Sequence, residues 1–399
     1  MKTGWQTTTL GAVAQIGAGN SAPQAKELFA NGTHPFFRTS DAGRIRFGNI
    51  FEASDNLNDE GIKSLRRFPS GTILFPKSGA STFLNHRVML GVDGFVSSHL
   101  ATIVGDETKV DRRFLLYFLT TVSAQDMIQD HAYPSLNLPV ISEISVPLPP
   151  LPEQQRIVGI LDEAFEGVAT AKTNAEKNIQ NVRALFESHL QSVFTQRGKG
   201  WVEKPLGSIE NFRNGINYTK DSKGESIKIV GVRNFQKNYF APLDDLDTVT
   251  IDGELSELDS LKQDDILSVR SNGNIELIGR CILVGEVEEK VSHSGFTIRI
   301  RLANGEVLPK YLCHFMKSSK TRKRLTEGGT GTNIKSLNQG MLSALVMPFP
   351  PIAIQKVLVE KLEILFGETQ RIEFLYQRKL AALEALKKSL LHQAFGGQL

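Results

Sequence analysis

Apolar residues recur at alternating spacings of three and four along two long segments of the chain, 147–197 and 348–399. This spacing is typical of helices that pair in a coiled coil. Each segment opens with a Pro-rich elbow, and proline suits the first turn of a helix. The pattern therefore predicts two helices of about 45 residues, roughly 65 Å long at the α-helical rise, that pair with each other. The expected pairing positions are Leu161, Phe165, Val168, Ile179, Val182 and Phe186 in the first helix, and Leu362, Leu365, Ile372, Tyr376, Leu383, Leu386 and Leu390 in the second.

The second half of the chain repeats the organisation of the first half. The Ser-Leu-Asn sequence at 135–137 returns at 336–338, and Gln154 at the first elbow returns as Gln355 at the second. A repeat of this length indicates duplication of a domain with its helix, and not a solenoid. If the two helices run antiparallel, the direct repeat becomes a pseudo-twofold, and one globular region is inverted relative to the other.

The regions before the two elbows carry short apolar runs that Gly, Asn and Pro interrupt. Such runs predict strands, and one short helix is expected in each region. We therefore expect an α+β fold whose globular regions have β-rich cores. The predicted segments are a β-rich domain at 1–146, a long helix within 147–197, a second β-rich domain at 198–347 and a second long helix within 348–399.

Composition narrows the class of protein without identifying it. The 399 residues are 40% hydrophobic and 22% charged, which is ordinary for a globular protein. Only two cysteines are present, Cys281 and Cys313, so we expect a reducing compartment and no disulfide framework. We see neither a signal peptide nor an apolar run long enough to span a membrane. The net charge of +3 permits an anionic partner without requiring one.

The elbow sequence PLPPLPEQQRI and its copy after residue 347 resemble the specificity (S) subunit of type I restriction-modification enzymes. The stretches FPKSGASTFLNHR (75–87) and RSNGNIELIGR (270–280) resemble the target recognition domains of that family. The resemblance covers essentially the whole chain. One departure is that the second elbow has Ile-Ala-Ile before Gln355, and so lacks the glutamate that the first elbow has as Glu153.

The resemblance implies a non-catalytic subunit that binds double-stranded DNA. Two target recognition domains in inverted orientation would each read one half of a bipartite, asymmetric site. The antiparallel helices would serve as spacer and ruler and as the docking surface for two methyltransferase (M) subunits, through which restriction (R) subunits would join. S-adenosylmethionine, ATP and magnesium would belong to those partners, in the cytoplasm of a prokaryote. Apolar residues expected on the outer helix faces are Ile157, Leu185, Leu358 and Leu375.

Two loops at matching positions are the sharpest candidates for DNA contact. Both follow predicted strands, and both combine glycine, which lets backbone approach a partner closely, with hydrogen-bond donors. The alternative is an ordinary hairpin, and any single basic residue is more readily a solvated surface group. An acidic stretch at 244–265 is expected to face away from phosphates. The candidate contacts are Arg38, Lys77, Ser78, Gly79 and Arg87 in the first half, and Arg233, Arg270, Ser271, Asn272 and Arg280 in the second.

No catalytic or metal-binding residue is predicted. The string Glu288-Glu289-Lys290 loosely resembles a metal-dependent nuclease, but such strings are common in charged turns. Cys281, His293, Cys313 and His314 lack the C-x-x-C spacing of a zinc site. Neither a phosphate-binding P-loop nor the Asn-Pro-Pro-aromatic string of an amino-methyltransferase is present.

Three alternatives remain open at this point. The chain could belong to a type IIB-like or methylation-only system. It could be a self-contained nuclease or methyltransferase fused to a coiled coil, which the missing motifs disfavour. It could also be a coiled-coil adaptor that binds only protein, which DNA binding would exclude.

Overall fold

The computed structural model describes residues 4–196, 198–208, 210–236, 238–303, 305–327 and 336–399. The chain divides into two compact units, one of residues 1–175 with 378–399 and the other of residues 176–377. The division cuts through both long helices, because each β-rich region packs on about half of each helix. It therefore differs from the four consecutive segments expected from the sequence.

The described residues of unit 1 form ten strands, the first part of the first long helix and the last part of the second. Its elements are β1 (Gln6–Thr9), α1 (Leu10–Val13), β2 (Ala14–Ala18), β3 (His34–Phe37), α2 (Thr39–Ile45), β4 (Phe47–Ile50), β5 (Asp55–Leu57), β6 (Ile73–Pro76), β7 (Arg87–Leu90), β8 (Phe95–Val96), β9 (Leu100–Gly105), α3 (Arg112–Thr121), α4 (Leu138–Ser142), β10 (Ser145–Leu148) and α5 (Leu151–Thr195). They form three sheets, of order β2-β9-β6-β7-β4, β5-β3-β8 and β1-β10.

Unit 2 repeats this arrangement, with nine strands among its described residues. Its elements are β11 (Val202–Pro205), β12 (Glu210–Asn214), β13 (Ser226–Val230), β14 (Asp247–Thr250), β15 (Ile266–Val269), β16 (Cys281–Leu283), β17 (Val291–His293), β18 (Thr297–Leu302), α6 (Pro309–Lys317), α7 (Ser319–Glu327), α8 (Gln339–Ser343), β19 (Val346–Phe349) and α9 (Ile352–Phe395). The sheets have the order β12-β18-β15-β16, β14-β13-β17 and β11-β19. In each unit the central strand of the three-stranded sheet pairs antiparallel with one neighbour and parallel with the other.

In each unit a short helix packs against the main core, α3 in unit 1 and α6 in unit 2. In unit 1 the side chain of Asp111 caps α3 by accepting from the backbone N–H groups of Arg113 and Phe114. Residues 114–119 of that helix are all buried, and they pack on the sheet and on the beginning of α5. Helix α6 takes the same place in unit 2, where residues 311–316 are buried. The mixed α+β content and the two long helices confirm the sequence prediction.

The long helices run antiparallel within each unit. In unit 1, Lys172 pairs with Glu384 at 3.0 Å. In unit 2, Asn178 bonds to the hydroxyl of Tyr376 at 2.9 Å, and further along α5 Arg183 pairs with Glu373 at 2.8 Å. As the residue number rises along α5, the residue number of its partner on α9 falls. The described part of the chain contains no helix that is long and apolar enough to cross a membrane.

Most of the predicted pairing positions are buried or partly buried. Leu161 and Leu362 are fully buried, the ring of Phe165 contacts that of Tyr117, and the ring of Phe186 contacts that of Phe366. Fully or partly buried positions also include Val168, Ile179, Val182, Leu365, Ile372, Tyr376, Leu383 and Leu390.

The prediction for Leu386 is wrong, because its side chain is 46% exposed. The next residue, Lys387, turns inward instead. Its Nζ lies 5.0 Å from the ring centre of Phe165 and 5.3 Å from that of Phe47. A lysine stem can cover aromatic faces while its ammonium stays near solvent. The expectation that Ile157 lies on an outer face is also wrong, because Ile157 is fully buried in the core of unit 1.

Candidate nucleic-acid interface

The loop after β6 in unit 1 is fixed by backbone hydrogen bonds on both sides. The N–H of Lys77 donates to the carbonyl of His99 at 3.0 Å, and the carbonyl of Lys77 accepts from Leu136 at 2.7 Å. Gly79 follows with a φ of 76°, a conformation that favours glycine, and its N–H donates to Pro134. Ser78 Oγ lies 2.7 Å from His99 Nδ1.

The loop after β15 in unit 2 makes the same connections. The N–H of Arg270 donates to the carbonyl of Phe296 at 2.8 Å, and the carbonyl of Arg270 accepts from Leu337 at 2.8 Å. Ser271 bridges Ser336 as Ser78 bridges Ser135. The predicted equivalence of the two loops is therefore confirmed in their hydrogen bonding, and it includes the Leu-Asn segments that revealed the repeat.

Lys77 and Arg270 occupy the same backbone position, and among the candidate cations only these two have no side-chain partner in the described part of the chain. Both side chains are partly exposed, and neither makes a hydrogen bond or ion pair with a described residue. A guanidinium or ammonium held at the start of a fixed loop can donate to phosphates or to guanine edges.

Arg38 and Arg233 both follow the central strand of a three-stranded sheet, β3 and β13 respectively, and each is paired with an aspartate of a neighbouring strand. Arg38 Nε lies 2.5 Å from Asp55 Oδ2, and Arg233 Nε lies 2.7 Å from Asp247 Oδ2. The hydrogen bond to Asp247 raises the pKa of Arg233. These two arginines remain candidates for contact, although a neighbouring carboxylate already offsets their charge.

The acidic stretch 244–265 neutralises arginines of its own unit. Besides the pair with Arg233, its carboxylates bind Arg213 through Asp259 and Arg301 through Asp265. Although the stretch is expected to face away from phosphates, its Asp247 lines the same groove as the candidate residues Ser271 and Asn272.

The prediction that Arg87 contacts DNA is wrong, because its side chain is fully buried. Its guanidinium carbon lies 3.6 Å from the ring centre of Phe75. The Nη atoms donate to the carbonyls of His86 and Val122 and to Asn85 Oδ1 at 2.8–3.2 Å. Burial lowers the pKa of Arg87 to about 9. Sequence alone misplaced this residue because arginine is rarely buried.

Arg280, at the matching strand start in unit 2, is partly exposed and is held by carbonyl groups. Its Nη1 donates to Gln236 at 2.7 Å and its Nε to Glu276 at 3.0 Å. It lines a cavity of about 220 Å³ with Lys317 and Arg322. Arg280 does not line the groove that contains Arg233, Ser271 and Asn272, and this cavity and that groove share no lining residue.

Sequence reasoning missed two aromatic residues in that groove, Tyr218 and Phe296. The groove has a volume of about 410 Å³, and Ser294 and Val232 also line it. The position of Phe296 in the repeat could have pointed to it. Matching turns occur at Ser97-Ser98-His99-Leu100 and Ser294-Gly295-Phe296-Thr297, since the N–H of Leu100 donates to Ser97 and that of Thr297 to Ser294, each at 2.9 Å.

The residues considered for catalysis are engaged elsewhere. Glu289 pairs with Lys228 and Lys290 with Glu225. His293 is buried with its Nδ1 2.8 Å from Thr297 Oγ1, and burial, with the nearby Arg299, lowers its pKa to about 3. Among the residues that the structure describes, no three His, Cys, Asp or Glu side chains are placed to hold a metal ion.

Comparisons with known proteins identify the duplicated unit. Residues 2–181 and 198–382 each match the family model described as the type I restriction modification DNA specificity domain. The specificity subunit of the type I restriction enzyme StySPI from Salmonella potsdam is 27% identical over 271 residues, covering 64% of this chain and 58% of that protein. The alignment thus spans less than two thirds of that relative's length.

Two solved structures share the fold. A chain from a structure of the complex assembly and conformational transition of the type I R-M system has a TM-score of 0.81 at 17% identity, covering 100% of this chain and 99% of that chain. The HsdS subunit from Thermoanaerobacter tengcongensis has a TM-score of 0.62 at 17% identity, covering 100% and 98%. Because the family model matches most of its length, this chain belongs to the type I restriction modification DNA specificity domain family and carries two copies of that domain.

Proposed function

We propose that this chain is the DNA-recognition subunit of a type I restriction-modification system and has no catalytic activity of its own. Each unit reads one half of a bipartite DNA site through its recognition loop, which follows β6 in unit 1 and β15 in unit 2. The observation that carries the proposal is the matched placement of Lys77 and Arg270 on equivalent, rigidly bonded loops, where neither side chain pairs with a described residue. Family membership and the homology to a specificity subunit support it.

The two halves of the site are proposed to differ in sequence. At equivalent backbone positions, unit 1 presents Lys77 and Gly79 where unit 2 presents Arg270 and Asn272. Lysine acts as a point charge, whereas arginine offers a planar fork suited to guanine. Different donors on the same scaffold favour different base pairs, so the whole site is asymmetric.

The paired helices are proposed to act as the ruler between half-sites and as the docking surface for two M subunits, with R subunits joining through M. Exposed apolar residues on the helices of unit 2 support docking, namely Leu185, Ile364 and Leu375. A large exposed apolar surface marks an interaction site. S-adenosylmethionine, ATP and magnesium are proposed to act in those partners, in the cytoplasm. The purified chain with DNA, magnesium and S-adenosylmethionine is expected to show no turnover.

Selection of binding sequences from random duplex DNA tests the proposal. We expect a bipartite consensus, and an affinity for duplex that falls steeply as salt rises. Lys77→Ala should relax one half of the consensus and Arg270→Ala the other. The control variants Lys109→Ala and Lys204→Ala remove lysines that are paired with Asp106 and Glu306, and both should leave the consensus unchanged. Binding of protein partners but of no duplex would reject the proposal in favour of an adaptor.

A further inference from the structure

Phe296 is held at the recognition loop of unit 2 with its ring in solvent. Its carbonyl accepts from the N–H groups of Arg270 at 2.8 Å and Ser271 at 3.3 Å, and Gly295 before it donates to Ile216 at 2.8 Å. The backbone on both sides is therefore fixed to neighbouring segments. The side chain is nevertheless 61% exposed. Single exposed apolar residues are common on protein surfaces, so the surroundings of this ring decide its meaning.

The surroundings of Phe296 combine apolar faces with hydrogen-bonding groups. Tyr218, which is 38% exposed, and Val232 line the same groove, together with Ser271 and Asn272 of the recognition loop. Apolar side chains beside Ser271 and Asn272, on the loop that Arg270 begins, are suited to a ligand with both a polar edge and a small apolar group. The major-groove edge of a thymine has that composition, with an O4 acceptor beside a 5-methyl group.

The equivalent backbone position in unit 1 carries different chemistry. His99 lies where Phe296 lies, since its carbonyl accepts from Lys77 as that of Phe296 accepts from Arg270. Its ring is tied to Ser78 Oγ at 2.7 Å. Unit 1 therefore presents a polar ring and unit 2 an apolar ring from the same turn of the scaffold, and this difference can distinguish the two half-sites.

We propose that Phe296, supported by Tyr218, contacts the 5-methyl group of a thymine in the half-site read by unit 2, and so determines specificity at that position. The proposal rests on the DNA-recognition function proposed above. Apolar contact with the thymine methyl is an established mode of direct readout. It needs no ion pair and leaves Arg270 and Asn272 available for neighbouring base edges or phosphates.

The test replaces each thymine of the selected site by deoxyuridine, which removes only the methyl group. With the full-length chain, one replacement in the half-site that Arg270→Ala relaxes should weaken binding about fourfold, the effect expected for one buried methyl-sized group. Phe296→Ala should weaken binding to the thymine duplex by at least as much, and the same deoxyuridine replacement should then have no further effect. Phe296→Leu, which keeps an apolar side chain, should retain sensitivity to the methyl group.

Phe240→Ala is the matched control. Phe240 is an exposed phenylalanine of the same unit that does not line the groove, and this variant should bind like the unchanged chain. The proposal is overturned if the half-site contains no thymine, if no deoxyuridine replacement weakens binding, or if the losses from Phe296→Ala and deoxyuridine multiply. The last two outcomes would indicate a ring that wedges between bases or contacts sugar. Failure to select any sequence would instead reject the DNA-recognition function itself.

Discussion

The side-chain Oε1 of Gln154 accepts a hydrogen bond from the backbone N–H of Asp111 at 2.7 Å. Its Nε2 donates to the carbonyls of Lys109 and Pro149 at 3.0 and 2.8 Å. The fully buried amide thus joins the Pro-rich elbow to the turn that begins α3. In unit 2, Gln355 makes the corresponding three bonds, to Leu308, Glu306 and Pro350, each at 2.9 Å.

Replacing either glutamine should destabilise the unit that contains it. Gln154→Ala leaves one N–H and two carbonyl groups buried without partners, and each such group costs about 1–3 kcal/mol. We expect unfolding of unit 1 to become easier by about 2–5 kcal/mol, with unit 2 unaffected, and Gln355→Ala should do the reverse. Denaturant titration with hydrogen exchange resolved by unit measures both effects.

The exposed neighbours of these residues provide the controls. Gln155→Ala and Lys356→Ala change side chains that point to solvent, and each should alter stability by less than about 0.5 kcal/mol. If Gln154→Ala behaves like Gln155→Ala, the elbow is held by the helix packing alone and the amide contributes nothing.

The repeat was visible in the sequence, but the structural role of its matched residues was not. Gln154 and Gln355 stood out as a matched pair, yet their role depends on a turn more than 40 residues earlier, as the bonds to Asp111 and Leu308 show. The equivalent loops could be predicted because strand, glycine and donors are local features. The burial of Arg87 could not, since it depends on Phe75 and Val122 from other elements. Likewise, the heptad pattern predicts that Leu386 and not Lys387 faces the other helix. Lys387 turns inward because the rings of Phe47 and Phe165 lie there.

Arg87→Ala should lower stability and leave DNA specificity intact. Lys77→Ala should change DNA specificity and leave stability unchanged. Removing the Arg87 side chain leaves a cavity over Phe75 and unpaired acceptors, for an expected cost of about 3 kcal/mol. Lys77 has no described partner to lose. Urea unfolding and binding-site selection on both variants, at a temperature where each is folded, distinguish the two roles. A changed consensus for Arg87→Ala would contradict its assignment as a structural residue.

Glu210 should make unit 2 less stable at alkaline pH. Its carboxylate is buried, has no hydrogen-bond partner among the described residues, and burial raises its pKa from 4.5 to about 8. A raised folded pKa favours the protonated folded state, so the stabilisation is complete below about pH 4.5 and is lost as pH rises through about 8. The loss over this window should be on the order of a few kcal/mol.

Measurement between about pH 7 and 8, where Glu210 still titrates in the folded state, isolates this effect. Burial lowers the pKa values of His293 and His314 to about 3 and about 4, so these residues change stability only below the unfolded pKa of about 6.5. Glu210→Gln should remove most of the alkaline decline, and the exposed control Glu257→Gln should not. An unchanged decline in Glu210→Gln would assign it to other groups.

Lengthening both long helices should change the spacing between half-sites without changing what each half-site reads. The natural insertion points are the unit boundaries, between Ala175 and Glu176 in α5 and between Gln377 and Arg378 in α9. Insertion of one heptad in each keeps the apolar seam in phase and adds about 10 Å, which corresponds to about three base pairs. Binding-site selection should therefore recover the same two half-sites with a spacer about three base pairs longer.

A heptad inserted in α5 alone is the control for this experiment. The pairs Lys172–Glu384 and Arg183–Glu373 flank the insertion point on the two helices, so a one-sided insertion cannot keep both in register. We expect that variant to be less stable than the doubly lengthened chain. If the doubly lengthened chain is folded and selects an unchanged spacer, the helices do not set the separation; if the half-site sequences change instead, the loops are not the readers.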